Sequence, residues 1–238
     1  MTHQLYLEDA YIKETDATIT HVGDEGVILD KTIFYAEGGG QPSDIGMITK
    51  GDEKYQVTLA KKSPEGILHH IDKPGLQIGD RVHLCIDWQR RYALMRYHTA
   101  AHLLSAVIYK ETQCETTGNQ IGSDKTRMDF SLDISKEQVE SFITKANEWV
   151  AKDAKVKVYV LPKEEAMKDP TLFKLAIKEY IERLKEVRVV EIEGIDKQAD
   201  GGTHVHSLKE VGPLKLERVD NKGKNNKRVY FTLEVLHE

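Results

Sequence analysis

The sequence predicts an α+β fold in which a β-rich N-terminal part precedes a part that mixes helices with strands. Short apolar runs separated by glycine and proline fill the first part, and such runs are typical of small antiparallel barrels and sandwiches. The pattern changes at Asp87-Trp88, after which apolar residues recur at helical spacing. We predict two domains, residues 1–87 and residues 88–238, because a chain of 238 residues is long enough for two modest domains.

Five short runs in the first domain are predicted to be strands. They are Ala17–Val22, Gly26–Leu29, Gly46–Thr49, Lys54–Ala60 and Arg81–Ile86. Turn signals such as Gly23-Asp24, Pro64 and Pro74-Gly75 lie between them. Even spacing of such strands favours a small antiparallel β-barrel or sandwich.

One long helix is predicted to open the second domain and to extend to about Lys110. Neither glycine nor proline interrupts this stretch, and its apolar residues recur at the spacing of a helix face. These residues are Leu94, Tyr97, Ala101, Leu104 and Ile108.

The rest of the second domain alternates between strand and helix signals. Ser135-Lys136-Glu137-Gln138 has the form of a capping box, which predicts a helix from there to about Asp153. The predicted strands are Arg127–Leu132, Lys155–Leu161 and Val187–Ile192, and helical character is predicted over Lys163–Lys168 and Thr171–Lys185. Leu214–Leu236 is predicted to form a hairpin with its turn at Asn221–Asn226.

Composition limits the classes of function. A net charge of −5 argues against broad, nonspecific coating of nucleic acid, although one local basic patch is compatible with it. Two cysteines without a CxxC motif indicate thiols in a reducing compartment rather than a disulfide framework. The charged N-terminus does not resemble a signal peptide, and no apolar run approaches the roughly 20 residues of a membrane helix. We expect a cytoplasmic protein without a membrane segment.

His98 and His102 are four residues apart on the predicted long helix. This spacing places both imidazoles on one face, one turn apart, where they can share a metal ion. Zinc suits such a pair because it accepts neutral imidazole and tolerates three protein ligands plus water. Two structural histidines with hydrogen-bond partners have the same spacing by chance, so both interpretations stand. Because no glutamate follows His98, the HExxH pattern of metalloproteases is excluded.

A second candidate segment is Ala199–Val205, in which Asp200 and His204 flank Gly201, Gly202 and Thr203. Adjacent glycines predict a tight loop, and such a loop can bring a carboxylate and an imidazole toward one point. The alternative is an ordinary turn that Asp200 caps.

Gly38, Gly39 and Gly40, followed by Gln41-Pro42, form a third candidate segment. Backbone N–H groups in such a loop can bind an anion or the polar end of a substrate. An ordinary hairpin bend is the alternative interpretation. The segment lacks the Gly-Lys-Ser/Thr ending of a phosphate loop, so no nucleotide cofactor is expected.

Together these segments resemble the editing domain of alanyl-tRNA synthetases and its freestanding AlaX relatives. The resemblance covers nearly the whole chain, and the order of the segments agrees with the family. Two further stretches, Gln120–Ser123 and Met128–Ser131, are similar to a family stretch. The chain resembles the intermediate form of the family, which has the N-terminal barrel without the added C-terminal domain of the long form. The matching strings are FYAEGGGQPSDIG at 34–46, HTAAHLL at 98–104 and GGTHV at 201–205.

The resemblance implies a β-barrel followed by an α+β editing core, one zinc ion, and hydrolysis of serine or glycine wrongly attached to alanine tRNA. In the family the zinc ligands come from HxxxH and CxxxH motifs, and His98, His102 and His204 occupy three of these positions. Asp200 stands where the family usually has cysteine. It either ligates zinc through oxygen or orients a histidine from outside the ligand set.

The remaining roles are hypotheses from the position of each residue and, for the RNA contacts, from local charge. Thr203 and Gln41 are the candidate catalytic residues, and Gly38, Gly39, Gly40 and Gln120 are the candidate substrate-binding residues. The expected partner is mischarged alanine tRNA, and the protein is expected to act as a monomer. Basic residues at the predicted hairpin tip are candidate RNA contacts, with Lys61 and Lys62 as a second choice. The tip residues are Lys222, Lys224, Lys227 and Arg228.

Two other functions compete with the deacylase, and a third alternative is a remnant in which Asp200 marks the loss of activity. A zinc hydrolase of another small ester or aminoacyl substrate would share the metal site without needing RNA. A tRNA-binding module with a structural metal would keep a closed ligand set and show no turnover.

Overall fold

The computed structural model describes residues 1–173, 185–223 and 226–234. The chain divides into two compact units, Met1–Ala93 and Leu94–Glu238. The first contains a closed antiparallel barrel and the second contains helices with two further sheets, so the predicted α+β class is confirmed. The predicted domain boundary between residues 87 and 88 stays a prediction.

Eight strands form the β structure of the first unit. In chain order they are β1 (His3–Gln4), β2 (Glu14–Gly23), β3 (Gly26–Leu29), β4 (Lys31–Thr32), β5 (Gly46–Lys50), β6 (Glu53–Ser63), β7 (Gly66–Ile71) and β8 (Arg81–Ile86). Six of them close into a barrel in the order β2-β3-β7-β6-β5-β8, and β1 pairs with β4. All five predicted strands are present, and the predicted bounds of β3 and β8 are those observed.

Alternating side chains fill the barrel. In β8, Val82, Leu84 and Ile86 are buried while the residues between them are exposed, as the period of two of a strand requires. These side chains join one apolar core with inward residues of the other barrel strands, including Val27, Leu29 and Val57.

A buried ion pair fixes the loop that follows the glycine-rich segment. The Arg91 guanidinium is fully buried and donates to the carboxylate of Asp44, to the carbonyl of Ala10 and to the carbonyl of Ile33. Asp44 also accepts the backbone N–H of Tyr35 at 2.7 Å. Because a buried charge is stable only when paired and hydrogen-bonded, these contacts hold the loop in one conformation.

Helix α1 (Trp88–Thr112) is the predicted long helix. Its start is capped by Asp87, whose carboxylate accepts the Arg90 N–H at 3.0 Å. The five apolar residues that predicted it are all buried, and most of its other middle residues are buried too. No described helix has the length and the hydropathy together that a membrane span requires.

The other elements of the second unit follow α1. They are β9 (Thr116–Ile121), β10 (Thr126–Phe130), α2 (Lys136–Lys152), β11 (Val156–Pro162), α3 (Lys163–Ala166), β12 (Glu186–Ile192), β13 (Asp196–Ala199), α4 (Leu208–Val211), β14 (Leu214–Asn221) and β15 (Lys227–Leu233). The strands form a four-stranded sheet, β14-β15-β10-β9, and a three-stranded sheet, β11-β12-β13.

The capping box at Ser135 is confirmed, with the Ser135 hydroxyl accepting the Gln138 N–H and the Gln138 side chain accepting the Ser135 N–H. The predicted tail hairpin is present as β14 and β15, which pair from Leu214↔Leu233 to Asn221↔Lys227.

In the second unit some predicted bounds were wrong, and three described elements were not predicted. The strand predicted over Arg127–Leu132 ends at Phe130, and the helix predicted over Lys163–Lys168 ends at Ala166. Of the helix predicted over Thr171–Lys185, the structure describes a short 3-10 turn at Pro170–Phe173, and residues 174–184 lie outside the described residues. Lys224 and residues 235–236 of the predicted hairpin also lie outside them. The elements that sequence patterns did not predict in this unit are β9, β13 and α4.

Candidate metal centre

The middle of α1 carries two buried histidines. His98 and His102 are one helical turn apart, and their ring centroids are separated by 5.1 Å. Both side chains are almost fully buried, with 3% and 7% exposure. An imidazole pair in this position must find polar partners within the protein, because an unsatisfied buried polar group is costly.

The second half of the centre is the loop that follows β13. The carboxylate of Asp200 accepts the N–H of Gly202 at 2.6 Å, which folds the chain back within two residues. A Cβ atom at Gly202 would lie 2.2 Å from Cε1 of His98, so only glycine allows the loop to approach α1 this closely. This approach brings the His204 side chain beside those of the helix.

The helix and the loop converge on one point. Asp200 lies 3.0 Å from Nε2 of His204 and 3.8 Å from Nε2 of both His98 and His102. One ligand atom from each of these four residues lies within 4.8 Å of the others. Ligand atoms around a tetrahedral zinc ion with bonds near 2.0–2.1 Å are roughly 3.3 Å apart, so three nitrogens and one oxygen at these separations fit one small divalent ion.

The hydroxyl of Thr99 contacts the ring of His204. This hydroxyl lies 3.0 Å from the carbonyl of Met95 and 3.1 Å from Nδ1 of His204, and it accepts the Val205 N–H at 3.3 Å. Nε2 of the same ring lies 3.0 Å from the carboxylate of Asp200. A metal at the shared point would need the lone pair of Nε2, and the proton of His204 would then lie on Nδ1, where the Thr99 oxygen can accept it.

Asp196 and Gln198 hold His102 from the side opposite the shared point. A carboxylate oxygen of Asp196 lies 3.3 Å from Nδ1 of His102, and the Gln198 amide lies 2.6 Å from the same nitrogen and donates to Asp196 at 3.0 Å. A carboxylate behind the distal nitrogen of a metal-binding histidine is a common arrangement, since it fixes the ring and strengthens the ligand. Sequence analysis missed both residues, although their i, i+2 spacing just before the candidate loop was a usable signal.

The electrostatics of the cluster favour a cation at its centre. Burial keeps the pKa of His98 well below its usual value and lowers the pKa of His204 to about 4, so both rings are neutral near pH 7. Burial would raise the pKa of Asp200, but the adjacent imidazoles, His98 foremost, hold it well below its usual range. Burial also disfavours charge on His102, yet its contacts with Asp196 and Asp200 raise its pKa to about 9. The neutral rings of His98 and His204 beside the ionised Asp200 are donors that zinc binds, and His102 would release its proton on binding the metal.

Arg188 adds a positive charge next to this cluster. Its Nη1 donates to the backbone carbonyl of Asp200 at 2.8 Å, and its charge contributes to lowering the pKa of His98 and His204. Sequence analysis did not identify it, because a lone arginine in a strand carries no motif.

The other predicted site residues occupy different parts of the fold. Thr203 is fully buried between Gly202 and His204, whereas Gln120 is exposed on β9. Gln41 lies in the first unit and is buried, and its backbone exchanges two hydrogen bonds with Gly38, at 2.9 and 3.1 Å. Gly39 and Gly40 adopt φ values of 60° and 85°, which glycine accepts without strain, so the segment is a tight hairpin bend.

Several predicted RNA contacts are engaged by acidic neighbours. Arg228 makes two hydrogen bonds to the carboxylate of Asp129, at 2.7 and 3.0 Å, and Lys227 lies 2.8 Å from Asp133. Lys61 lies 2.9 Å from Glu25. These ion pairs reduce the positive charge that the predicted patches offer to a phosphate, and RNA docking there stays a prediction.

The chain is similar to proteins whose names refer to alanyl-tRNA editing and to alanine–tRNA ligation. Residues 6–90 match the family described as tRNA synthetases class II (A), and residues 187–230, which include the candidate loop, match the threonyl and alanyl tRNA synthetase second additional domain. The chain is 41% identical to the alanyl-tRNA editing protein AlaX-M of Methanosarcina barkeri, over 98% of this chain and 99% of that protein. It is 43% identical to AlaX-M of Saccharolobus solfataricus, over 98% and 100%. It is also 37% identical to the alanine–tRNA ligase of Ignicoccus hospitalis, over 90% of this chain and 24% of the ligase.

Proposed function

This chain belongs to the family of alanyl-tRNA editing proteins of the AlaX-M type, and from that premise we propose that it is a deacylase acting in trans on mischarged alanine tRNA. The reaction is hydrolysis of the ester that joins serine or glycine to the terminal ribose. One observation carries the proposal: three imidazole nitrogens and one carboxylate oxygen meet within 4.8 Å on a buried helix and a glycine-bent loop. We further propose that the protein works as a monomer in the cytoplasm.

Zinc is the proposed metal, and one ion is proposed per chain. A zinc ion in such a site lowers the pKa of a bound water or polarises the ester carbonyl. The protein's contribution is to hold the ligands in place. With the metal bound, the Thr99 oxygen accepts the Nδ1 proton of His204, and Asp196 holds the ring of His102.

Asp200 is proposed to bind the metal directly rather than to orient a histidine ligand. Its oxygens approach the Nε2 atoms of His98, His102 and His204, which are the atoms that face the shared point. An orienting carboxylate belongs instead on the Nδ1 side of a ring, where Asp196 already lies behind His102. The proposed oxygen ligand takes the place at which the family usually has a cysteine.

Thr203 and Gln41 are proposed to act on the substrate. Thr203 lies between Gly202 and His204, next to a proposed ligand, in a loop that approaches His98 closely. Serine differs from alanine by one hydroxyl, and a site that hydrogen-bonds this hydroxyl discriminates strongly against the residue that lacks it. The Gly38–Gln41 bend and Gln120 are proposed to contact other parts of the substrate.

One observation favours a second function. Four protein ligands complete a tetrahedron, and closed sets of four are typical of structural zinc. A tRNA-binding module with such a metal would bind alanine tRNA without hydrolysing it. Asp200, whose side chain keeps 18% exposure, is the most accessible of the four residues and the one able to give way to water or substrate.

A deacylation assay separates the two functions. Alanine tRNA charged with serine, glycine or alanine is incubated with zinc-loaded protein, with metal-stripped protein and with the His102→Ala variant. The deacylase predicts rapid loss of serine or glycine, slow loss of alanine, and at least a hundredfold lower rate without metal. The binding module would be established instead if all samples released the amino acid only at the rate of spontaneous hydrolysis without protein while tRNA binding stayed intact.

A further inference from the structure

One face of the four-stranded sheet carries a row of polar side chains that crosses all four strands. Residues paired across neighbouring strands project from the same face. Arg218 on β14 pairs with Tyr230 on β15. Tyr230 pairs with Arg127 on β10, which in turn pairs with Gln120 on β9. We call these four residues the sheet row, and at ordinary strand spacing the row is about 14 Å long.

The opposite face of this sheet is the packed one. Met128, which follows Arg127 and points the other way, is buried. Phe231 is fully buried and contacts Tyr97 of α1, with ring centroids 6.2 Å apart. The side chains of Arg218 and Arg127, by contrast, are 52% and 29% exposed. The sheet row therefore faces away from α1 and is open to solvent.

Positive charge surrounds the ring of Tyr230. The Arg218 guanidinium lies over this ring, 4.0 Å from its centroid. Hydrogen bonds from Arg218 and then from Arg228 lower the pKa of the Tyr230 hydroxyl. A guanidinium stacked on an aromatic ring is held in one plane, while the N–H groups at its edge stay available to an anion.

The carboxylates of this face do not balance its arginines. Arg228 takes up the carboxylate of Asp129 with two hydrogen bonds, at 2.7 and 3.0 Å. Arg127 lies 3.9 Å from the same carboxylate, beyond hydrogen-bond distance, and its Nε has no hydrogen-bond partner among the residues that the structure describes. Nε of Arg218 lies 3.5 Å from Asp220. Here two carboxylates face three guanidiniums, although the chain as a whole has a net charge of −5.

Strand β9, at one end of the row, also contacts the helix that carries the metal residues. The hydroxyls of Thr116 on β9 and Ser105 on α1 lie 2.8 Å apart. Ser105 follows His102 by three residues on α1, which is about one helical turn. One strand thus connects the sheet row with the neighbourhood of the candidate metal centre.

We propose that the sheet row binds the sugar–phosphate backbone of the tRNA acceptor end, with Arg127 and Arg218 on phosphates and with Tyr230 holding Arg218 in place. The identity of this ligand rests on the proposed function. Excess positive charge on an open sheet suits a polyanion, and the planar fork of arginine matches phosphate oxygens. An RNA strand whose aminoacyl end lies at the metal continues for several nucleotides, which can cross the sheet from β9 to β14.

Binding of uncharged alanine tRNA tests the row without turnover. We expect Arg127→Gln and Arg218→Gln each to weaken binding about threefold to tenfold and to reduce the salt dependence by about one phosphate contact. Arg218→Lys keeps the charge and should keep the salt dependence. Lys136→Gln is the matched control, because it removes one positive charge from an exposed residue of α2 that pairs with Glu140. A loss of affinity in Lys136→Gln as large as in the arginine variants would mean that only the net charge matters, and would overturn the proposal.

A double-mutant cycle tests the role of Tyr230. Tyr230→Leu removes the ring and should weaken tRNA binding as much as Arg218→Gln does, and the double variant should bind no more weakly than either. Tyr230→Phe keeps the ring and should bind within about twofold of the wild type. Additive losses in the double variant would show that Tyr230 does not act through Arg218.

Kinetics separate this surface from the metal centre. Arg127→Gln and Arg218→Gln should raise KM for seryl-tRNA, leave kcat unchanged and leave the hydrolysis of seryl-adenosine unchanged, because seryl-adenosine lacks the rest of the strand. Wild-type affinity for tRNA in both variants would overturn the proposal. Equal losses on seryl-adenosine and seryl-tRNA would also overturn it, since the arginines would then only support the fold. Failure of the deacylase proposal is recognisable separately, because the wild-type protein would hydrolyse neither ester while the binding measurements still report on the sheet row.

Discussion

At the scale of single residues, the proposed metal site depends on an oxygen donor at position 200. Oxygen is a harder donor than thiolate, and Asp200 also accepts the Gly202 N–H that shapes its own loop. One carboxylate thus shapes the loop and is available as the proposed ligand, whereas a thiolate would leave the turn hydrogen bond weaker.

Substitutions of Asp200 should change zinc affinity in opposite directions. Asp200→Asn removes the negative charge while keeping the shape and the turn, so we expect zinc affinity to fall by at least tenfold. Asp200→Cys supplies a thiolate, which zinc prefers, and we expect affinity equal to or above that of the wild type. Competition titration against a coloured chelator measures both. Wild-type affinity in Asp200→Asn would show that the carboxylate is not a ligand.

Two adjacent glycines provide a sharper test of the site geometry. A methyl group at Gly202 would lie within 2.4 Å of two atoms of the His98 ring, whereas one at Gly201 would meet nothing within 4 Å. We expect Gly202→Ala to displace the loop, abolish tight metal binding and lower deacylation by at least a hundredfold. Gly201→Ala should retain activity within a few-fold. Comparable activity of the two variants would contradict the close approach of the loop to α1.

At the scale of elements, the barrel contains a titratable group in its interior. His69 on β7 is fully buried, and its ring contacts the Thr32 hydroxyl at 2.8 Å and the Val27 carbonyl at 3.3 Å. Burial lowers the pKa of His69 to about 4, from an ordinary value of 6.5. The folded barrel therefore holds this ring neutral at a pH where the unfolded chain protonates it.

The stability of the first unit should consequently depend on pH. The contribution of His69 is fully present above pH 6.5 and is lost as the pH falls toward 4, which amounts to roughly 3 kcal/mol. Urea unfolding followed by Trp88 fluorescence in a Trp149→Phe background measures the first unit. His69→Gln should show a smaller decline between pH 6.5 and pH 4. A decline of the same size in His69→Gln would assign the effect to other groups.

The elements also show which parts of the fold sequence patterns could predict. Strand β8 and helix α1 follow simple alternation and helical spacing, so both were predicted. Strand β7 was not, because one of its inward positions is His69 and the apolar alternation is broken there. Strand β13 was missed for a related reason, since its inward residues are Asp196 and Gln198, which serve the metal centre. Strand prediction from apolar alternation fails where the inward residues of a strand are polar, and such exceptions are expected at functional sites.

The four residues that meet in the structure were predictable as candidates, whereas the residues that contact them were not. The spacing of His98 and His102 and the diglycine loop indicated candidates, and motif order joined them. The contact between Thr99 and His204, by contrast, links residues 105 positions apart, and only the folded chain reveals it. Arg188 likewise contacts the carbonyl of Asp200 through the pairing of β12 with β13, and this pairing is seen only in the folded chain.

At the scale of the whole molecule, a metal ion would join distant parts of the second unit. His98 and His102 come from α1, and Asp200 and His204 come from a loop about a hundred residues later, so an ion bound to all four closes a long stretch of chain. Metal binding is then part of the folding free energy of this unit. The barrel strands contribute no ligand to this group and should gain nothing directly.

Removal of the metal should therefore loosen the second unit selectively. Free zinc at a hundred times its dissociation constant stabilises a folded site by about 2.7 kcal/mol. On chelation, we expect hydrogen exchange to accelerate in residues 94–105 and 196–206, while residues 14–86 keep their protection. His102→Ala serves as the control, because chelation should change little in a variant that has already lost a ligand. If the rates of hydrogen exchange in the wild-type protein did not change with zinc, the four side chains would meet without binding an ion. The proposed metal-dependent hydrolysis would then be wrong.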